Sequence, residues 1–172
     1  RRKRLLLSLR ETTGTMNRRE LAQLLESKDA PADAFIEAAR AELRAGDRDR
    51  ALRWMIRGFK AYPADGNLSY WMNQVLSMYG RGEAPMDELL RAQISGGRYW
   101  TCVAQQLSSD GRFEDALKVL EKVPLDADAG WALYIAGHVN RQLRRNDEAI
   151  RCYERSLQLM PDYAPCVVAL AR

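Results

Sequence analysis

Arg144-Arg145-Asn146-Asp147-Glu148-Ala149-Ile150, running on to Met160-Pro161, is the stretch that decides the fold. It lines up without gaps against Gly46-Asp47-Arg48-Asp49-Arg50-Ala51-Leu52, which runs on to Tyr62-Pro63. Gly111-Arg112-Phe113-Glu114-Asp115-Ala116-Leu117 joins the same alignment. Ala149 follows Ala116 by 33 residues, and Ala116 follows Ala51 by 65, close to two such periods. Pro63 and Pro161 each lie twelve residues past their alanine. A period of this size marks a stacked repeat, whose units bury their apolar faces only against their neighbours.

Each unit reads as a helical hairpin. Apolar residues at helical spacing form a leading helix: Phe35, Ala38, Ala39 and Leu43, then Trp100, Val103, Ala104 and Leu107, then Leu133, Ala136 and Gly137. A turn follows, carrying Gly46, Gly111 or the polar run Arg144 to Asn146. The second helix opens with a small residue (Ala51, Ala116, Ala149) and places a large one four later (Met55, Leu120, Tyr153). The small residue lets the helices approach; the large one fills the hairpin interior. Pro63 and Pro161 fall just past the second helix, which proline cannot continue.

The small, aromatic and proline positions Gly137, Ala149, Tyr153, Ser156 and Pro161 make residues 130–163 resemble the tetratricopeptide repeat family. Residues 32–65 match through Ala39, Gly46, Ala51, Gly58 and Pro63. Residues 97–129 match through Trp100, Ala104, Gly111, Phe113 and Ala116, with Pro124 arriving early and shortening the second helix. The resemblance implies an all-α fold, a right-handed superhelical solenoid of antiparallel helical hairpins. Four hairpins are expected over 32–163: 32–65, a divergent 66–96, 97–129 and 130–163. In the divergent one the leading helix runs roughly from Leu68 to Tyr79 and the second starts near Pro85.

At the ends, Asn17 with Glu20 has capping-box spacing, so residues 16–31 read as a capping helix through Leu21, Leu24 and Leu25. Residues 164–172 read as the start of a further repeat or a capping helix. Its apolar face around Val167 and Leu170 then calls for a further helix, another domain or a second protomer. Met16 precedes the first helix, so residues 1–15 read either as a basic N-terminal extension or as an appended peptide.

Composition narrows the function. With 47% apolar and 29% charged residues among 172, the chain is neither a disordered tail nor a disulfide-stapled miniprotein. The net charge of +4 comes from 27 Lys and Arg against 23 Asp and Glu, with much of the excess in Arg1, Arg2, Lys3, Arg4 and Arg10. The body is close to balanced, and Arg48, Arg50, Arg53 and Arg57 interleave with acids as a solvated face, which disfavours nucleic acid. Leu5-Leu6-Leu7-Ser8-Leu9 is too short for a secretory core or a membrane span. Cys102, Cys152 and Cys166 are odd in number and share no metal spacing, which suits a reducing, cytoplasmic compartment and predicts no metal or cofactor. His138 is the only histidine, and no strained nucleophile turn or glycine-rich phosphate loop accompanies it. No catalysis is expected.

The resemblance implies recognition of extended peptides or helices on a concave face lined by the leading helices. Mapped here, that face carries Arg40 and Arg44, Tyr70 and Gln74, Arg98, Thr101 and Gln105, then Trp131, Tyr134, His138 and Arg141. Trp131, Tyr134 and His138 share one helix face by their spacing of three and four. An aromatic pair beside Arg and Gln suits peptide recognition, and the same stripe also suits packing against the preceding repeat. The paired Lys and Asn with which some members of the family clamp a C-terminal carboxylate are absent. The leading expectation is a non-catalytic module for a protein or peptide partner. Two others stand beside it. One is the repeat region of a larger bacterial-type enzyme such as a glycosyltransferase, sulfotransferase or hydroxylase. The other is a scaffold self-associating through its C-terminal end.

Overall fold

The structure is a computed structural model and describes residues 18–26, 30–124 and 129–171. The described residues form ten helices and no strand. The expected basic segment 1–15, and Asn17 of the expected capping box, lie outside the described residues. The chain divides into two compact units, with the boundary between Gly80 and Arg81.

The first unit holds α1 (Arg18–Leu25), α2 (Ala32–Arg44), α3 (Arg48–Ala61) and α4 (Gly66–Leu76). Helix α2 pairs with α3 as a hairpin, and both meet α4, which is the contact pattern of stacked hairpins. Asp47 caps α3 by accepting from the Arg50 amide at 2.8 Å. Asp65 caps α4 by accepting from Asn67 and Leu68. Such caps satisfy amides that the first turn leaves without a helical acceptor. Ala51, Met55 and Phe59 on one side of α3 are fully buried, as the small-then-large pattern requires. Leu21 and Leu25 of α1 are buried as well. The Tyr79 hydroxyl donates to Asp49 at 2.7 Å and Arg48 lies over its ring, tying the end of the unit to the start of α3.

The second unit holds α5 (Met86–Arg91), α6 (Gly97–Ser109), α7 (Phe113–Leu120), α8 (Ala129–Gln142), α9 (Asn146–Leu159) and α10 (Ala164–Leu170). Helices α6 with α7 and α8 with α9 are hairpins, and α10 stacks on α9. Helix α7 has eight residues against fourteen in α9, and it stops before Pro124. Across the segment 66–96, α4 has eleven residues and α5 only six, ending where Ala92 turns extended.

One device closes the leading helix of all three regular hairpins. Three residues past its end an amide donates back to a carbonyl in its last turn: Asp47 to Glu42 at 2.9 Å, Arg112 to Leu107 at 2.8 Å, and Arg145 to Asn140 at 2.9 Å. The residue before that amide must be left-handed. Gly46 and Gly111 take φ of 80° there, and Arg144 takes 60°. A side chain in that region costs about 1–2 kcal/mol, so Arg144 does with strain what the glycines do freely. The polar run at 144–146 is therefore the same turn in different residues.

Candidate functional site

Helix α8 sets out Trp131, Tyr134, His138 and Arg141 along one stripe. The stripe meets a partner that follows it in the chain. Met160 accepts from the Tyr163 amide, and Tyr163 accepts from the Cys166 amide, so the chain turns tightly between α9 and α10. Pro165 sits in the first turn of α10, where its missing amide costs no helical bond. Cys166 is fully buried and donates to the Ser156 hydroxyl at 3.2 Å; Ser156 donates on to the Gly130 carbonyl at 2.8 Å. This relay pins α10 and the Tyr163 turn onto the α8–α9 hairpin.

The result is an aromatic triangle. Tyr163 lies edge-on to Trp131 at 5.4 Å and to Tyr134 at 5.2 Å, and Trp131 and Tyr134 are 5.4 Å apart. Edge-to-face pairs of this kind add about 0.5–1.5 kcal/mol beyond their buried area. Trp131 remains 36% exposed, and Tyr134 and Tyr163 are half-buried. Beside the triangle, Tyr134, Arg141, Ala164, Pro165, Val168 and Ala169 enclose a groove of about 340 Å³ between α8 and α10. Beneath Tyr134, Tyr153 is buried with its ring centroid 6.0 Å away. The Tyr153 hydroxyl has no hydrogen-bond partner among the described residues. Burial raises the Tyr163 phenol to about 12 and raises Tyr153 as well, so both stay protonated at neutral pH.

Burial and then the neighbouring Arg141 guanidinium lower His138 below its ordinary 6.5, so it is neutral at pH 7. The unfolded chain therefore takes up this proton first as pH falls. The stability that neutral His138 supplies is complete above pH 6.5 and is lost as pH falls toward the folded value. In an NMR titration we expect His138 to titrate below 6.5, and Arg141→Gln to move it part of the way back. A midpoint at or above 6.5 in the parent protein would contradict the geometry of the stripe. The thiols are similarly subdued: burial pushes Cys102 up to about 12 and raises Cys152. No cluster of metal-ligating side chains occurs among the described residues, and none of the described helices is long and apolar enough to cross a membrane.

In the first unit the expected face lies on α2 and α4. Arg40 stacks over Trp71 at 5.0 Å and pairs with Glu37. Tyr70 meets Trp71 edge-on at 5.6 Å and is 59% exposed, while Gln74 is half-buried. Arg44 is exposed. On α6, Gln105 is exposed and Arg98 half-buried, and neither lines the α8–α10 groove. Thr101 does not face the solvent: it is buried and donates to the Gly97 carbonyl at 2.8 Å. Sequence reasoning missed Tyr163 in the triangle, Pro165 and Val168 in the groove, and Trp71 beside Arg40. The Pro161 and Pro165 pair flanking Tyr163 was the available signal, since two prolines four residues apart hold a short turn.

With this geometry in place, likeness to known proteins can be stated. A family model, tetratricopeptide repeat, matches residues 130–163. No curated protein matches the sequence. Among solved structures, the chain is similar to YrrB, described as a TPR protein with an unusual peptide-binding site. The TM-score is 0.60 at 19% identity, over 98% of this chain and 88% of that one. It is also similar to MamA, with a TM-score of 0.53 at 15% identity, over 86% of this chain and 89% of that one. The chain is a helical-repeat protein with the fold of tetratricopeptide-repeat structures, and residues 130–163 carry that family's repeat in their sequence.

Proposed function

We propose that this chain is a non-catalytic interaction module that binds a peptide or helical segment of a partner protein on its leading-helix faces, chiefly at the α8–α10 groove. The observation that carries this is the open aromatic triangle of Trp131, Tyr134 and Tyr163, whose Tyr134 also lines the groove. Its rings are already held by one another, so a ligand gains aromatic area without ordering flexible side chains. Each unit by itself offers polar groups suited to a peptide backbone: Arg40, Tyr70 and Gln74 in the first, and Arg98, Gln105, His138 and Arg141 in the second. The peptide-binding description of YrrB, a protein of like fold, agrees with this reading.

The test is selection of binders from a displayed peptide library with the full chain, followed by calorimetry. Trp131→Ala and Tyr134→Ala are each expected to weaken the selected peptides by more than about 1 kcal/mol, as aromatic anchors do. If both variants melt cooperatively and bind as the parent does, the groove is not the site.

A further inference from the structure

The groove has an unusual charge balance. Helix α8 contains no acidic residue, and α10 contains no charged residue at all, so Arg141 is the one charge on the two helices that form the walls. Several other arginines of this protein pair with an acid, among them Arg40 with Glu37, Arg112 with Asp115, Arg145 with Glu114 and Arg151 with Glu148. The Arg141 side chain has no ion pair or hydrogen bond among the described residues, although it is half-buried and lines the groove. A guanidinium offers five donors and no acceptor. The polar atoms around it do not answer it. His138 is neutral beside it, and the buried Tyr153 hydroxyl, which feels the Arg141 charge, is itself unpartnered among the described residues. The rest of the lining is small and aliphatic: Ala164, Pro165, Val168 and Ala169.

We infer that the α8–α10 groove selects acidic peptide segments, with Arg141 taking a carboxylate and an aliphatic side chain of the same segment seated against Pro165 and Val168. This rests on the peptide-binding reading above and deepens it. Charge complementarity argues for the carboxylate: one cation without a local counter-ion matches one negative charge, and desolvation in the groove strengthens the pairing. A multiply charged phosphate would need a second cation, and among the described residues neither wall supplies one. Because the paired Lys and Asn of the family's C-terminal clamp are absent, the carboxylate is that of an Asp or Glu side chain within the segment.

The experiment uses the full chain and three sets of labelled short peptides, all containing Leu. One set carries Asp or Glu with an amidated C-terminus. The second replaces the acids by Asn or Gln. The third keeps Asn or Gln but has a free C-terminal carboxylate. We expect the first set to bind about tenfold tighter than the second and the third, the scale of one charge-assisted contact. A preference for the third set alone overturns the assignment to a side-chain carboxylate. Arg141→Gln should erase the preference and Arg141→Lys should restore part of it, with Trp131→Ala weakening every set alike. If the amide set binds as well as the others, or the preference survives in Arg141→Gln, the assignment is overturned. When Trp131→Ala still weakens binding in that case, the peptide groove stands and only its selectivity falls. Binding of none of the sets, or tighter binding of a single-stranded oligonucleotide, overturns both.

Discussion

Tyr99→Ala is expected to destabilise the protein by about 4 kcal/mol, measured by urea unfolding followed by circular dichroism. Tyr99 is fully buried in the first turn of α6. Its hydroxyl donates to the Leu89 carbonyl at 2.9 Å, and its ring stands edge-on to Trp100 at 5.1 Å. Trp100 in turn donates from Nε1 to the Ile94 carbonyl at 2.9 Å. The two aromatic residues thus satisfy carbonyls at the end of α5 and in the non-helical run that follows it. Truncating Tyr99 opens a ring-sized cavity and leaves the Leu89 carbonyl with only the long bond from the Ala92 amide at 3.3 Å, and both penalties add. Tyr99→Phe separates them: it keeps the ring and should cost only about 1 kcal/mol. The outcome that would sink this account is equal loss in the two variants, because the ring would then contribute nothing.

The second large effect is expected at Gly137. A Cβ there would sit 2.6 and 2.7 Å from two carbons of the Tyr153 ring. A real Cβ does not come that close, and a buried ring held between α8, α9 and α10 has little room to withdraw. Gly137→Val should therefore cost about 3 kcal/mol through overpacking, with little return from helix propensity, since valine is only slightly better than glycine in a helix. Because Tyr134 rests on Tyr153, the displaced ring should also disturb the aromatic triangle. Near-ultraviolet circular dichroism should record both, and part of the lost stability is expected to return in Gly137→Val combined with Tyr153→Leu, which removes the obstacle at the cost of the buried ring. If the double variant is no more stable than Gly137→Val alone, the clash is not the cause.

Much of the helical framework was legible in the sequence because its signals are local. A small residue at Ala51, Ala116 and Ala149 is the least bulky solution where two helices touch, and all three are essentially inaccessible. Pro63 and Pro161 forbid continuation whatever surrounds them. The turn at Arg144 was legible only by alignment, because its left-handed φ of 60° comes from the closing bonds of the turn and not from its residue type. The aromatic stripe on α8 was legible from its three-and-four spacing, and its main partner was not. Its spacing suits a groove wall or packing against the preceding repeat, whereas Trp131 and Tyr134 pack on Tyr163, which follows them. In the first unit the aromatic under Arg40 is Trp71, which the sequence mapping passed over for its neighbour Tyr70.

The sequence by itself determined that this chain folds as helical hairpins and where their helices and turns fall, because helix periodicity, close-approach residues and breakers act within a few residues of one another. Only the tertiary structure decided which side chains come together. Tyr163, fixed by the buried Cys166–Ser156–Gly130 relay, completes the triangle with Trp131 and Tyr134. Arg141 becomes a lone cation only once α8 and α10 are laid side by side and the walls between them hold no acid. Residues distant along the chain meet through packing, and packing distances are not written in sequence spacing.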